Sequence, residues 1–216
     1  VEHLEQISGL LALSMGLAWA SGINLYATLT MLGLMSQLGH IELPPGLALV
    51  ADPMVIAAAG FMYCVEFFAD KVPGIDSGWD GLHTFIRIPA GAVLAGSALG
   101  DISPAAELAA ALVGGGIAAG THATKAGSRL LINTSPEPLS NWTASVAEDL
   151  AVLGGLWVAL NNPLLFLLGL GLFLLLLVWL LPRIWRAIRA IGRKLSSLFA
   201  GKPDESLRPS APDSVR

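Results

Sequence analysis

Apolar runs of about twenty residues recur along this chain, each closed by a short polar or turn-forming stretch. A helix needs roughly 20 mostly apolar residues to cross the hydrocarbon core of a bilayer, and irregular backbone facing lipid leaves its polar groups without partners. Six stretches approach that length, at about residues 8–36, 52–70, 81–100, 104–131, 142–161 and 163–186. Turn signals separate them: Pro44-Pro45-Gly46, Pro73-Gly74 with Asp76-Ser77-Gly78, Asp101 to Pro104, Ser135 to Pro138, and Asn161-Asn162-Pro163. The pattern predicts an all-α membrane protein with about six transmembrane helices.

Two features modify that picture at the C-terminus. Beyond Pro182, Ile184, Ile188, Ile191, Leu195 and Leu198 recur at helical spacing, while Arg186, Arg189, Arg193 and Lys194 fill the opposite positions. This is the pattern of a basic amphipathic helix lying on an anionic lipid surface. From Gly201 onward the chain is rich in Pro, Ser and Asp and poor in apolar residues, the composition of a disordered tail. The predicted organisation is therefore a membrane domain over 1–186, a surface helix over 187–200 and a cytoplasmic tail over 201–216.

Composition supports a membrane setting. Of the 216 residues, 54% are hydrophobic and only 13% charged, against about 25% charged in a typical soluble domain. The single cysteine, Cys64, lies in an apolar stretch and reads as a buried, inert thiol; no disulfide or cysteine-based metal site can be built. The acidic start of the chain lacks the basic region of a cleaved secretory signal, so the first apolar stretch reads as permanent.

Charge placement sets an expected orientation, because short cytoplasmic loops collect Lys and Arg. The loops near 37–51, 101–103 and 161–162 contain neither, while all twelve basic residues fall on the other side of a six-span arrangement. Both termini are then expected in the cytoplasm. The sequons at Asn133 and Asn141 fall on that same side and are set aside as glycosylation sites.

The two halves of the chain carry a faint likeness. Gly16-Leu-Ala-Trp-Ala-Ser resembles Gly116-Ile-Ala-Ala-Gly-Thr, and Ala51-Asp52 resembles Ala147-Glu148. An offset of three spans would make this a three-plus-three inverted repeat, a frequent transporter design. Small and polar residues interrupt the first span at Ser21-Gly22-Ile23-Asn24 and the fourth at Gly120-Thr121-His122-Ala123-Thr124. Such positions serve either close helix packing or a broken helix whose freed backbone groups bind a ligand.

Charged side chains at depth need an explanation, since each costs roughly 2.5–3.5 kcal/mol at a helix centre on insertion scales. Asp70, Lys71, Lys125 and Arg129 lie near span ends, where anchoring at the headgroups is the default. Glu148 and Asp149 are predicted about 10 Å deep and call for basic partners, the natural ones being Arg87, Lys125 and Arg129. Pro89, two residues beyond Arg87, removes a helix hydrogen bond and could aim that arginine inward.

The connection between the second and third spans is the densest polar segment, with Glu66, Asp70, Lys71, Asp76, Asp80 and His83. On a helix, Asp76, Asp80 and His83 would share a face, a set able to hold a divalent metal or do acid-base work, although capping and structural roles are the commoner use of such residues. No Ser-x-x-Lys, His-Glu-x-x-His or Gly-x-Ser-x-Gly pattern accompanies them, and no cofactor or metal is implied.

Asp70-Lys-Val-Pro-Gly-Ile-Asp-Ser-Gly-Trp-Asp, Phe85-Ile-Arg-Ile-Pro-Ala-Gly, Ser21-Gly22, Thr124-Lys-Ala-Gly-Ser-Arg and Ser145-Val-Ala-Glu-Asp together resemble the membrane-protein family catalogued as domain of unknown function 4126. The likeness covers about residues 8–160. It implies a bacterial integral membrane protein, placed in the inner membrane, and brings no activity with it.

The residues themselves favour a small transporter or lipid-handling protein. Asn24 and His122 would line its centre; Arg87, Lys125 and Arg129 would attract an anionic solute or lipid phosphate; Glu148 and Asp149 would serve as counter-charges or proton carriers. Anionic membrane lipids and a second copy of the chain are the expected partners; no nucleic-acid motif is present. An intramembrane enzyme using the 66–83 carboxylates and a scaffold whose charges only pair internally are the alternatives.

Overall fold

A computed structural model describes residues 2–134 and 138–199. Six helices follow in order: α1 (Glu2–Gln37), α2 (Pro53–Ala69), α3 (Ile75–Ser97), α4 (Pro104–Ile132), α5 (Pro138–Asn161) and α6 (Pro163–Phe199), with a 3-10 segment, Pro45–Ala51, before α2. Proline opens α2, α4, α5 and α6, where its missing N–H would be unpaired in any case. Asp52 caps α2 by accepting from Met54 N at 2.7 Å, and Ser103 caps α4 by accepting from Ala106 N at 3.1 Å. Gly74 adopts φ 87° in the turn before α3, a conformation that favours glycine.

The six predicted stretches match these helices closely, but α1 departs from a simple span. Asn24 has extended backbone angles (φ −148°, ψ 97°) in the middle of the helix. Before this corner, Gly16 packs on Ala159 and Trp19 on Gly155, so α1 descends along α5 toward Asp149. After it, Ala27, Met31 and Leu34 line one cavity with Leu153, and Gly33 meets Val50 and Ile56. The chain thus turns back at Asn24. Consistently, Glu5 and Ser8 share a cavity with Asn161 to Leu165, and Gly46 lies against Ser97.

This corner corrects two expectations. The start of α1 lies on the face of the 161–162 connection, whereas α6 ends on the opposite face, so the two ends of the described chain do not emerge together. The first half of α1 also runs parallel to α4, with Ala18 near Gly114, Gly22 near Ala118 and Thr121, and the Ile23 carbonyl at Lys125. An inverted relation between the first and fourth helices is therefore not what the fold contains. The 120–124 segment likewise shows no break, lying within continuous α4.

Helices α3 and α4 pack through small residues. Gly91 faces Ala118, Gly96 faces Ala111, and Gly114 faces Ala95 and Ala18, so backbones approach closely. A side chain at Gly114 would overlap the Ala95 methyl, and Gly114→Leu is expected to cost about 1–3 kcal/mol or more by overpacking. The check is loss of monodisperse protein on size-exclusion chromatography after detergent extraction, with Gly116→Leu, which faces open space, as the tolerated control.

The α6 helix continues through Pro182 to Phe199 as one element, so the expected surface helix is an extension of the last apolar helix. Arg183 donates to Trp179 O and lies over the Trp179 ring, and Arg186 donates to Pro182 O, side chains folding back where proline interrupts the ladder. Side chains of 194–199 and the tail from 200 lie outside the described residues.

The distribution of polarity is inverted relative to a water-soluble protein. Arg87, Arg129, Glu66, Asp76 and Asp80 are fully buried, while Phe85, Met54 and Leu49 are about 80% exposed and Leu residues cover α6. Charges need partners and find them inside; apolar side chains need none in hydrocarbon. Three helices, α1, α5 and α6, are long and apolar enough to cross a membrane, or four if the bent pair Pro45–Ala51 and Pro53–Ala69 counts as one span. Cys64 faces outward on α2 and is exposed, not buried as its apolar neighbours suggested.

Candidate functional site

The corner at Asn24 creates the centre of the site. Because Ala27 N takes the Asn24 side-chain oxygen at 2.9 Å, the second half of α1 starts with Asn24 as its cap. The Ile23 carbonyl then accepts Lys125 Nζ of α4 at 3.1 Å. Asn24 Nδ2 donates to Asp149 Oδ1 at 3.0 Å, and its carbonyl accepts from Thr28 Oγ1.

Around this corner α2, α3, α4 and α5 deliver a closed set of ions. Arg87 Nη2 lies 2.6 Å from Glu66 Oε1 and Nη1 lies 3.0 Å from Asp80 Oδ1. Lys125 lies 2.9 Å from Asp70 Oδ2 and 3.5 Å from both Glu66 Oε1 and Glu148 Oε2. Arg129 forks onto Glu148, with Nη2–Oε2 at 2.6 Å and Nε–Oε1 at 3.2 Å, and donates to the backbone oxygens of Asp70 and Asn141. Four carboxylates therefore surround three cations. Glu66 Oε2, Asp70 Oδ1 and Asp80 Oδ2 are buried with no hydrogen-bond partner.

Several sequence expectations change here. Asp70, Lys125 and Arg129 are not headgroup anchors; each is at least 96% buried inside the bundle. Arg87 faces inward, as the proline after it suggested, yet pairs with Glu66 and Asp80 and not with Glu148 or Asp149. Glu66, Asp70 and Asp80, first separated from the central residues, belong to the same network. Lys71 stays on the rim, donating to Phe67 O and Ser145 Oγ, with burial pulling its ammonium below the ordinary lysine range.

Asp76, Asp80 and His83 are all buried, as their shared helix face predicts, but they serve three different partners. Asp76 accepts from Asn133 Nδ2 at 2.8 Å and from the Gly74 and Ser77 amides. His83 lies 3.1 Å from Tyr26 Oη and 2.9 Å from Trp79 O, stacked on Trp79. Among the described residues no group of three His, Cys, Asp or Glu side chains is placed to hold a metal ion.

His122 has Arg87 Nη1 at 3.3 Å from Nδ1, and Thr84 Oγ1 and Asp80 O near Nε2. A guanidinium only donates, so Nδ1 is the acceptor and Nε2 carries the proton. This histidine is buried and orients Arg87, and it borders neither the Glu148 cavity nor the one beside Trp19.

Asn133 and Asn141 are the residues that sequence reasoning passed over. Asn141 Nδ2 donates to Asn133 Oδ1 at 2.7 Å, joining Asp76 to Arg129 across the α4–α5 connection. Their sequon context drew attention to glycosylation; the informative signal was two amides flanking a turn beside buried charge.

One member of the network reaches open space. The Glu148 side chain is 20% exposed, whereas those of Glu66, Asp70, Asp80, Arg87, Lys125 and Arg129 are 0–3% exposed. It lines a cavity of about 260 Å³ with Ile23, Thr121, Thr124, Lys125, Ser128, Ala147, Ala151 and Phe173. The Lys125 ammonium, the unpartnered Thr121 hydroxyl and the Glu148 carboxylate are the polar groups of an otherwise largely apolar cavity, since the Thr124 and Ser128 hydroxyls donate to the Gly120 and Thr124 carbonyls.

No curated protein and no solved structure matches the chain. The family described as a domain of unknown function (DUF4126) matches residues 11–183, most of the chain and nearly all of the helical bundle, and the protein belongs to that family.

Proposed function

We propose that this protein is a multi-pass membrane transporter or lipid-handling protein for an anionic, phosphate- or carboxylate-bearing substrate, which binds by taking the place of Glu148 on Arg129 and Lys125. The observation that carries this reading is the exposure of Glu148 alone in an otherwise sealed network, at a cavity it shares with Lys125. Arg129 already presents a fork matched to a two-oxygen anion, so a phosphate can occupy the seat that Glu148 leaves. The carboxylate in excess of the three cations is then the natural seat for an accompanying proton. With the Lys- and Arg-bearing face toward the cytoplasm, the Glu148 cavity lies nearer that side.

The test uses one headgroup chemistry with and without a chain: inorganic phosphate, glycerol 3-phosphate and lysophosphatidate, each read by the shift of the melting temperature in detergent. At least one is expected to stabilise the wild type, and Glu148→Gln, which weakens the internal competitor, is expected to bind it about ten-fold more tightly while slowing release in proteoliposomes. Absence of any response to all three in the wild type overturns the proposal.

Ion pairing of each of the three cations inside the bundle favours one other reading, a scaffold with no ligand. Under that reading the swap Arg129→Glu with Glu148→Arg restores folding lost in either single variant, and no anion changes the melting temperature.

A further inference from the structure

Beyond Ala151 the face of α5 that lines the Glu148 cavity borders further open space. A second cavity, of about 390 Å³, lies between α5 and α6 and is walled by Trp19, Gly154, Gly155, Phe166, Gly169 and Phe173 among others. Phe173 borders both cavities. On α5 the lining residues Ala147, Glu148, Ala151, Gly154, Gly155 and Val158 are spaced by one or three, which places them along one helix face. The two cavities therefore follow one another along the same face of α5 and meet at Phe173, the first bordered by charge and the second apolar.

Its dimensions and lining select the occupant. From Ala147 to Val158 the face runs about 16 Å at ~1.5 Å per residue, about half of the ~30 Å hydrocarbon thickness of a bilayer. Gly154 and Gly169 hold the apolar part open: a methyl group added at either would meet nothing within 4 Å. At the other end Lys125 Nζ supplies positive charge, and Thr121 is 97% buried with its hydroxyl unpartnered on the cavity wall. A small hydrophilic anion would use the charged end and leave the apolar end empty. An anion carrying a hydrocarbon chain complements both.

We propose, resting on the functional reading above, that the substrate is an anionic phosphate-bearing lipid, its headgroup at Lys125, Thr121 and Glu148 and one acyl chain along Gly154 and Gly169, beside the Trp19 ring that covers Gly155. With the basic face cytoplasmic, α5 starts on that side and the chain runs outward from the headgroup. That is the orientation of a lipid drawn from the cytoplasmic leaflet. Helix α6, which closes the groove, carries exposed leucines on its outer surface, so entry is from the bilayer and not from water.

The experiment is native mass spectrometry of the full chain in mild detergent, incubated with lysophosphatidate, lysophosphatidylcholine, glycerol 3-phosphate or inorganic phosphate. Wild type is expected to retain lysophosphatidate at least ten-fold better than the chain-free phosphates and better than the zwitterionic lysolipid. Gly154→Leu and Gly169→Leu fill the groove where no atom stands in the way; each is expected to lose lysophosphatidate at least ten-fold while keeping the wild-type melting temperature. Should either variant melt early, Gly154→Ala and Gly169→Ala, which also meet no neighbour, must show a graded loss. Retention unchanged in all four variants overturns the inference. Equal retention of glycerol 3-phosphate and lysophosphatidate overturns it too, while leaving the anion-transport reading intact. Retention of no phosphate compound at all removes both.

Discussion

Arg87→Met is expected to destabilise the protein by about 3–5 kcal/mol, because it leaves two buried carboxylates facing each other without their cation. Glu66 and Asp80 meet Arg87 at 2.6 and 3.0 Å with no exposed side-chain surface to speak of, and water cannot replace the guanidinium there. Lys125 is 3.5 Å from Glu66 and 3.7 Å from Asp80 and already serves Asp70, so it covers only part of the loss. Detergent-solubilised Arg87→Met should therefore aggregate or melt far below wild type. The triple variant Arg87→Met, Glu66→Gln, Asp80→Asn removes the stranded charges and should recover most of the melting temperature. If Arg87→Met alone melts like wild type, the ion-pair geometry described here is wrong.

Asn24→Ala is expected to cost about 2–4 kcal/mol, combining loss of a helix cap with an unsatisfied buried carboxylate. The side chain caps the second half of α1 through Ala27 N and holds Asp149 Oδ1, whose other oxygen has no partner. Asn24→Asp keeps the cap but sets two carboxylates together, so it should fold only under acidic conditions. Asn24→Ser restores a cap without reaching Asp149 and should recover about 1 kcal/mol. Melting curves at two pH values separate these variants. Equal stability of Asn24→Ala and wild type would mean that the corner is held by packing alone.

These two variants mark where sequence and structure part. That Glu148 needs a basic partner was legible, because an ionised group in an apolar segment must have one, and Lys125 and Arg129 supply it, whereas Asp149 meets Asn24 and Arg87 meets Glu66 and Asp80. Which carboxylate meets which cation was not legible. Arg87 is distant in sequence from Glu66 and Lys125 from Asp70, and only helix rotation and crossing decide such pairs. Asp70 and Lys125 read as interfacial because they lie near helix ends, yet both are buried inside the bundle, 2.9 Å from each other. Asn133 and Asn141 carry no charge, so the need for a partner that singled out the ions did not point to them.

The sequence by itself determined the helices, their starting prolines, the exclusion of basic residues from one set of loops, and the membership of the family. Each follows from local chemistry: a polar backbone needs its own hydrogen bonds in an apolar medium, and proline and glycine act on their nearest neighbours. It also marked Ser21 to Asn24 as a weak point in the first helix. Only the tertiary structure decided that the chain turns back there, because one residue in extended conformation can join two helices at many angles. The angle is selected by what the corner meets, namely Lys125 on the freed Ile23 carbonyl and Asp149 on the Asn24 amide. That same choice sets the direction of the first half of α1, excludes an inverted pairing with α4, and opens the groove beside Glu148.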